Sequence, residues 1–161
     1  MMSRIERRVK VGLIGCGAIG TVLAEAIERK LVLCDELIVY DVDVSKAMKL
    51  KSQLKFPLRI VKNLDELLAL KPKVIVEAAS QEAAKGYVPK IVSSGVDVIV
   101  LSTGALLDLD VDQGRVHLPS GAIGGLDALA CAALAGVDEV VLTSRKKPKS
   151  NLLLSTNEIN V

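Results

Sequence analysis

The stretch Val9-Lys10-Val11-Gly12-Leu13-Ile14-Gly15-Cys16-Gly17-Ala18-Ile19-Gly20 decides how the rest of the chain is read. Its first half is a short apolar run, as in a strand buried on both faces. Its second half is Gly-x-Gly-x-x-Gly, and residues 18–30 then set Ile19, Val22, Leu23, Ala26 and Ile27 at helical spacing. In such a strand–turn–helix unit Gly15 permits the tight turn, Gly17 lets a pyrophosphate approach the backbone, and Gly20 lets the helix pack closely on the strand. Ala18 and Ile19 sit between them in the first helical turn, where free N–H groups and the helix dipole favour an anion. The six-residue pattern alone is weak, because glycine-rich turns are common. Its context is stronger: a second strand ends in Asp41, 21 residues beyond Gly20, where about 20 are expected. A carboxylate there accepts hydrogen bonds from ribose hydroxyls and repels a 2′-phosphate. Val42 and Asp43 follow and offer no Arg to that phosphate, so NAD is expected over NADP. The plain alternative, a capping turn with a solvated Asp, leaves the coincidence of parts unexplained.

Outward from this unit, apolar runs alternate with amphipathic ones. Strands are expected at residues 37–40, 58–61, 74–77 and 96–101. Between them, helices are expected at residues 45–54 with Ser45 as cap, at 64–70 capped by Asn63, and at 80–94 ended by Gly95. Pro89 should kink or break the last of these. Beyond Ser102 the pattern loosens: a loop or short turn over 106–114, a strand over 115–118, a helix over 126–135 and a strand over 139–143. The expectation is an α/β fold, a Rossmann-type doubly wound parallel sheet over residues 1–118. A partial second α/β domain would start within 119–161.

Composition narrows the function. The chain has 161 residues and a net charge of +2, so nucleic acid and anionic membranes are not expected partners. Two Tyr, one Phe and no Trp offer no platform for stacking bases. Cys16, Cys34 and Cys131 are odd in number and unpaired in pattern, which speaks against a disulfide scaffold or a zinc site and suits the cytoplasm. Mean hydropathy is high at +0.41, yet the longest uncharged stretches are about ten residues, against roughly 18 for a membrane span.

Three further features invite a functional reading. Cys16 stands at a helix N-terminus, where a thiol can become reactive, but a small residue that fits the turn is the simpler account. His117, the single histidine, has no orienting acid at a telling spacing and is expected to be structural or at the surface. The cluster Arg145-Lys146-Lys147-Pro148-Lys149 reads as a solvated basic segment.

Pro119-Ser120-Gly121-Ala122-Ile123-Gly124-Gly125-Leu126-Asp127-Ala128-Leu129 is not explained by the glycine-turn fold. This segment resembles a signature of the archaeal and bacterial L-aspartate dehydrogenase family. Val76-Glu77-Ala78-Ala79-Ser80 and Ser102-Thr103-Gly104-Ala105-Leu106 agree with it. The resemblance implies NAD(P)-dependent oxidative deamination of L-aspartate to iminoaspartate, an intermediate for NAD biosynthesis, by a two-domain homodimer. It also implies that Ala122 contacts the cofactor, as does Asn160 in Glu158-Ile159-Asn160-Val161. Nicotinamide is expected at the strand ends near Ala78, Ala79, Ser80 and Ser102. Departures from the family pattern lie in residues 106–114 and after Lys147, and no residue matches the family's catalytic histidine. The catalytic base is therefore unassigned, and a shortened member that binds NAD but turns over aspartate poorly is expected. The alternative is a non-catalytic NAD(H)-binding module. A homoserine-dehydrogenase or dihydrodipicolinate-reductase relative is a third reading that the signature disfavours.

Overall fold

The computed structural model describes residues 9–120, 125–141 and 143. The chain divides into two compact units, Met1–Pro119 and Ser120–Val161.

In the first unit six strands form one parallel sheet: β1 Lys10–Ile14, β2 Glu36–Tyr40, β3 Leu58–Ile60, β4 Val74–Glu77, β5 Asp97–Val100 and β6 Val116–His117. Their order is β3-β2-β1-β4-β5-β6. That is the doubly wound order, with a reversal between β1 and β4. The period of two along each strand sorts its side chains onto two faces. Val11, Leu13, Leu37, Val39 and Val76 pack under α1 (Ala18–Glu28) and α2 (Val44–Gln53). Ile14, Ile38, Ile75, Val98 and Val100 pack under α3 (Leu64–Ala69) and α4 (Gln81–Ser93). Gly12 has to be small, because a Cβ there would come within 2.8 Å of Ile75 Cγ1 and 2.9 Å of Leu67 Cδ2.

Local chemistry sets most boundaries. Asn63 Oδ1 accepts from Glu66 N–H at 2.8 Å, capping α3 as expected. Three expectations are corrected. The cap of α2 is Asp43, not Ser45: its carboxylate accepts from Ser45 N–H at 3.0 Å, so the helix opens one residue earlier. Helix α4 runs unbroken through Pro89, held to the sheet by buried Ala84, Val88 and Ile91 on either side. Helix α1 turns Gly20, Ala24 and Ile27 inward, leaving Ile19 60% and Val22 65% exposed. The stripe read from spacing was broader than the one the sheet covers. The loop or short turn expected over 106–114 is flanked by two 3₁₀ turns that overlap its ends, Thr103–Asp108 and Gln113–Arg115.

In the second unit the described residues form α5, Leu126–Ala133. The strand expected over 139–143 does not form among the described residues. A strand needs a neighbour to take its N–H and C=O groups, and none is paired with it there.

Candidate functional site

The carboxyl ends of β1, β2 and β4 meet at the reversal in strand order and enclose a cavity of about 560 Å³. Such a crevice is where open α/β sheets bind ligands. Its floor is the glycine turn. Gly15 has φ +96° and donates from its N–H to Tyr40 C=O at 2.9 Å. A Cβ there would lie 2.6 Å from the Ala78 carbonyl oxygen, so the turn and the β4–α4 loop are in direct backbone contact. A Cβ on Gly20 would collide with the Gly15 carbonyl oxygen, which makes Gly20 a packing residue beneath the turn.

Gly17 differs from both. It caps α1 without any side-chain hydrogen bond, and a Cβ added to it would meet nothing within 4 Å. The helix start therefore faces open space bounded by Gly15, Gly17 and Ala78, all lining the cavity. This is a cradle shaped for an anion approaching the backbone. Ala18 lines a smaller hollow, with Thr21 and Lys46. Ile19 lines neither.

Asp41 follows β2 and lines the cavity. One carboxylate oxygen accepts from Cys16 N–H at 2.7 Å and the other from Asp43 N–H at 2.9 Å. These bonds tie the acid to the glycine turn, 25 residues away in sequence, and fix where it points. Ala78 and Ala79 line the opposite wall with Ser80, whose Oγ caps α4 by accepting from Ala83 N–H at 3.1 Å. Gly15, Gly17, Asp41, Ala78, Ala79 and Ser80 are thus brought to one cavity. Ala122 and Asn160 lie outside the described residues.

Cys16 is buried, and its thiol is pushed up from 9.0 to about 12 by desolvation and then by the Asp41 charge, with Lys46 opposing. At neutral pH it is a protonated, unreactive thiol; the bland account of this residue holds. His117 is exposed on β6, with Nε2 4.0 Å from Asp97 Oδ2, and does not line the cavity.

Among the cavity residues that the sequence did not single out are Lys46, Tyr40 and Tyr87. Lys46, on α2, reaches the cavity edge that Asp41 and Val42 also line. Tyr40 and Tyr87 form an edge-to-face pair with centroids 5.8 Å apart and hydroxyls 3.2 Å apart. The bond to Tyr40, followed by burial, pushes the Tyr87 hydroxyl up to about 12. A signal was present: these are the chain's only two tyrosines, one directly before Asp41.

The sequence pattern of a family described as homoserine dehydrogenase, NAD binding domain, matches residues 15–114. The chain belongs to this family. Along most of its length the chain is similar in sequence to L-aspartate dehydrogenases. That of Archaeoglobus fulgidus is 40% identical over 146 residues, covering 84% of this chain and 56% of the relative. That of Methanothermobacter thermautotrophicus is 36% identical over 152 residues, covering 87% and 57%. The chain therefore spans little more than half the length of these relatives. The aspartate dehydrogenase structure from Thermotoga maritima matches with a TM-score of 0.51 and 28% identity, covering 77% of this chain and 51% of that one. A myo-inositol dehydrogenase from Lactobacillus casei, solved with NAD(H) and myo-inositol, shares the fold alone, at TM-score 0.60 and 17% identity over 84% of this chain and 44% of that one. The resemblance carried by the 119–129 signature thus extends along most of the chain, and the doubly wound NAD-binding fold is as expected.

The residues present suit the dinucleotide. The open space before Gly17 leaves room for an anion at the backbone, room that a Cβ would reduce, and Asp41 is oriented by two backbone donors. Among the described residues no helix is long and apolar enough to cross a membrane.

Proposed function

We propose that this chain is the NAD-binding part of an L-aspartate dehydrogenase-type oxidoreductase, acting on L-aspartate to form iminoaspartate. The observation that carries this reading is the pairing of the Gly17 cradle with Asp41 in one cavity, in a chain 40% identical to an L-aspartate dehydrogenase. NAD, when bound, supplies the acceptor for the hydride leaving Cα of the amino acid. Gly15, Gly17 and the first turn of α1 with Ala18 and Ile19 would hold the pyrophosphate. Gly20 keeps the helix close beneath it, and Asp41 would accept from the adenosine ribose hydroxyls. Ala78, Ala79 and Ser80 would flank the nicotinamide side, and Ala122 and Asn160 are further cofactor contacts by family resemblance. NAD is the preferred form because Asp41 opposes a 2′-phosphate. Lys46 at the same cavity edge offsets part of that repulsion, so NADP is disfavoured less than Asp41 alone would require. Residues 1–118 would form the dinucleotide-binding domain, with 119–161 opening the substrate and dimerisation domain of a cytoplasmic homodimer.

Titration of the chain with NADH, and then NADH formation from NAD and L-aspartate, tests the proposal. Micromolar NADH binding with aspartate-dependent absorbance supports it. Absence of NADH binding would sink it. One observation favours a second reading, a binding module without catalysis: the single histidine lies on β6 away from the cavity. NADH binding that L-aspartate does not alter, with no aspartate-dependent turnover, selects that alternative.

A further inference from the structure

Tyr40 and Tyr87 line the same cavity as Gly17 and Asp41, yet neither has a part in holding the pyrophosphate or the ribose. Their rings meet edge to face, 5.8 Å between centroids at 75°, and pack against the core that contains Ile14 and Val88. Two phenylalanines would give the same ring contact, so the hydroxyls need an account of their own. Their mutual bond of 3.2 Å supplies only half of one. Two hydroxyls carry two protons, and the bond between them uses one. Among the described residues no acceptor takes the second. That proton is present at neutral pH, because the bond to Tyr40 and burial push the Tyr87 hydroxyl up to about 12.

The position of the pair says what it faces. Asp41 and then Val42 follow Tyr40, and all three line the cavity, with Val42 80% exposed. Ala83, Gly86 and Tyr87 line it from α4, at the i, i+3, i+4 spacing of one helix face. A Cβ on Gly86 would meet nothing within 4 Å, so this face leaves room for a flat group. With pyrophosphate at the Gly17 turn and ribose at Asp41, the group that continues past Asp41 is the base. The hydroxyl pair offers it a proton on one oxygen and a lone pair on the other, 3.2 Å apart. Adenine presents the complement, a 6-amino donor beside a ring-nitrogen acceptor.

Resting on the dinucleotide reading, we infer that the Tyr40–Tyr87 pair determines base specificity, accepting from the adenine 6-amino group and donating to the ring nitrogen beside it.

The test measures dissociation constants of the 161-residue chain for NADH and for its analogue with unsubstituted purine, which lacks the 6-amino group. The unaltered chain should favour NADH by about fivefold, the worth of one hydrogen bond. The double variant Tyr40→Phe/Tyr87→Phe keeps both rings and removes both partners of the mutual bond, so neither is left unpaired. In it the preference should vanish to within about twofold. Equal affinities in the unaltered chain would overturn the inference. So would a preference that survives in the folded double variant, since a pair that only shapes the cavity moves both ligands alike. Should the double variant fail to fold, the unaltered chain decides. With two Tyr and no Trp, its tyrosine absorption reports on this pair alone. Saturation with NAD should shift that band, and an unperturbed band refutes the contact. If the unaltered chain binds neither NADH nor the analogue, the dinucleotide reading itself fails, an outcome distinct from the others.

Discussion

Gly15 and Gly17 stand two residues apart and are required for different reasons. Gly15 has a left-handed backbone and no room for a Cβ, whereas Gly17 has ordinary extended geometry and open space before it. Gly15→Ala should therefore destabilise the fold by more than about 1 kcal/mol. Gly17→Ala should cost less than about 1 kcal/mol, the Gly-to-Ala difference at a helix cap, yet weaken NADH binding at least tenfold. Urea denaturation beside titration calorimetry separates the two, and a large stability loss at Gly17 would make it structural. Asp41→Ala should weaken NADH binding by about 1.5–3 kcal/mol, as charged hydrogen bonds are lost. It should also narrow the gap to NADPH, while Lys46→Gln should widen it; a gap that ignores both would remove Asp41 from the ribose site. Cys16 makes a pH prediction. Below pH 9 its thiol is protonated in folded and unfolded chains alike; between 9 and about 12 only the unfolded thiol ionises. Stability should fall as pH rises through that window. Cys16→Ala should flatten the slope, leaving the part due to Cys34, whose thiol burial also raises. At neutral pH a thiol reagent should spare buried Cys16 and label exposed Cys131 first.

Helix α4 shows how an element can trade stability for a site. It carries Gly86 in its interior, where a Cβ would meet nothing within 4 Å, and Gly86 lines the cavity with Tyr87. Glycine within a helix costs about 1 kcal/mol relative to alanine. Gly86→Ala should thus stabilise the chain by up to about 1 kcal/mol while reducing NADH affinity, because the added methyl enters the cavity. Stabilisation with undiminished binding would place the dinucleotide elsewhere. The same helix tolerates Pro89 because the residues around it are anchored: burial of Ala84, Val88 and Ile91 outweighs one missing backbone bond.

At the scale of the molecule, the exposed apolar side chains are the notable feature. Leu33 is 80% exposed, Val42 80% and Leu107 90%, and Ile19 and Val22 on α1 are exposed too. Contact with a second copy would remove such surface from water. Light scattering at micromolar concentration should give a mass near twice 17.1 kDa; a well-behaved monomer would refute the dimer.

The sequence by itself determined the strand–glycine turn–helix unit, the acid after β2, the Asn63 cap and the bounds of β4, Val74–Glu77. Each of these is local: a steric need for glycine, a side chain within three residues of the N–H it caps, or an unbroken apolar run. Only the tertiary structure decided which stripe of α1 is buried, that Lys46 and Tyr87 join Asp41 at one cavity, and that 139–143 form no strand among the described residues. It also decided that Glu77 is enclosed with Ser102, 25 residues distant. These depend on partners supplied by other elements. A carboxylate in a sequence looks the same whether it meets water or three buried donors, and only the folded sheet edge brings those donors to it.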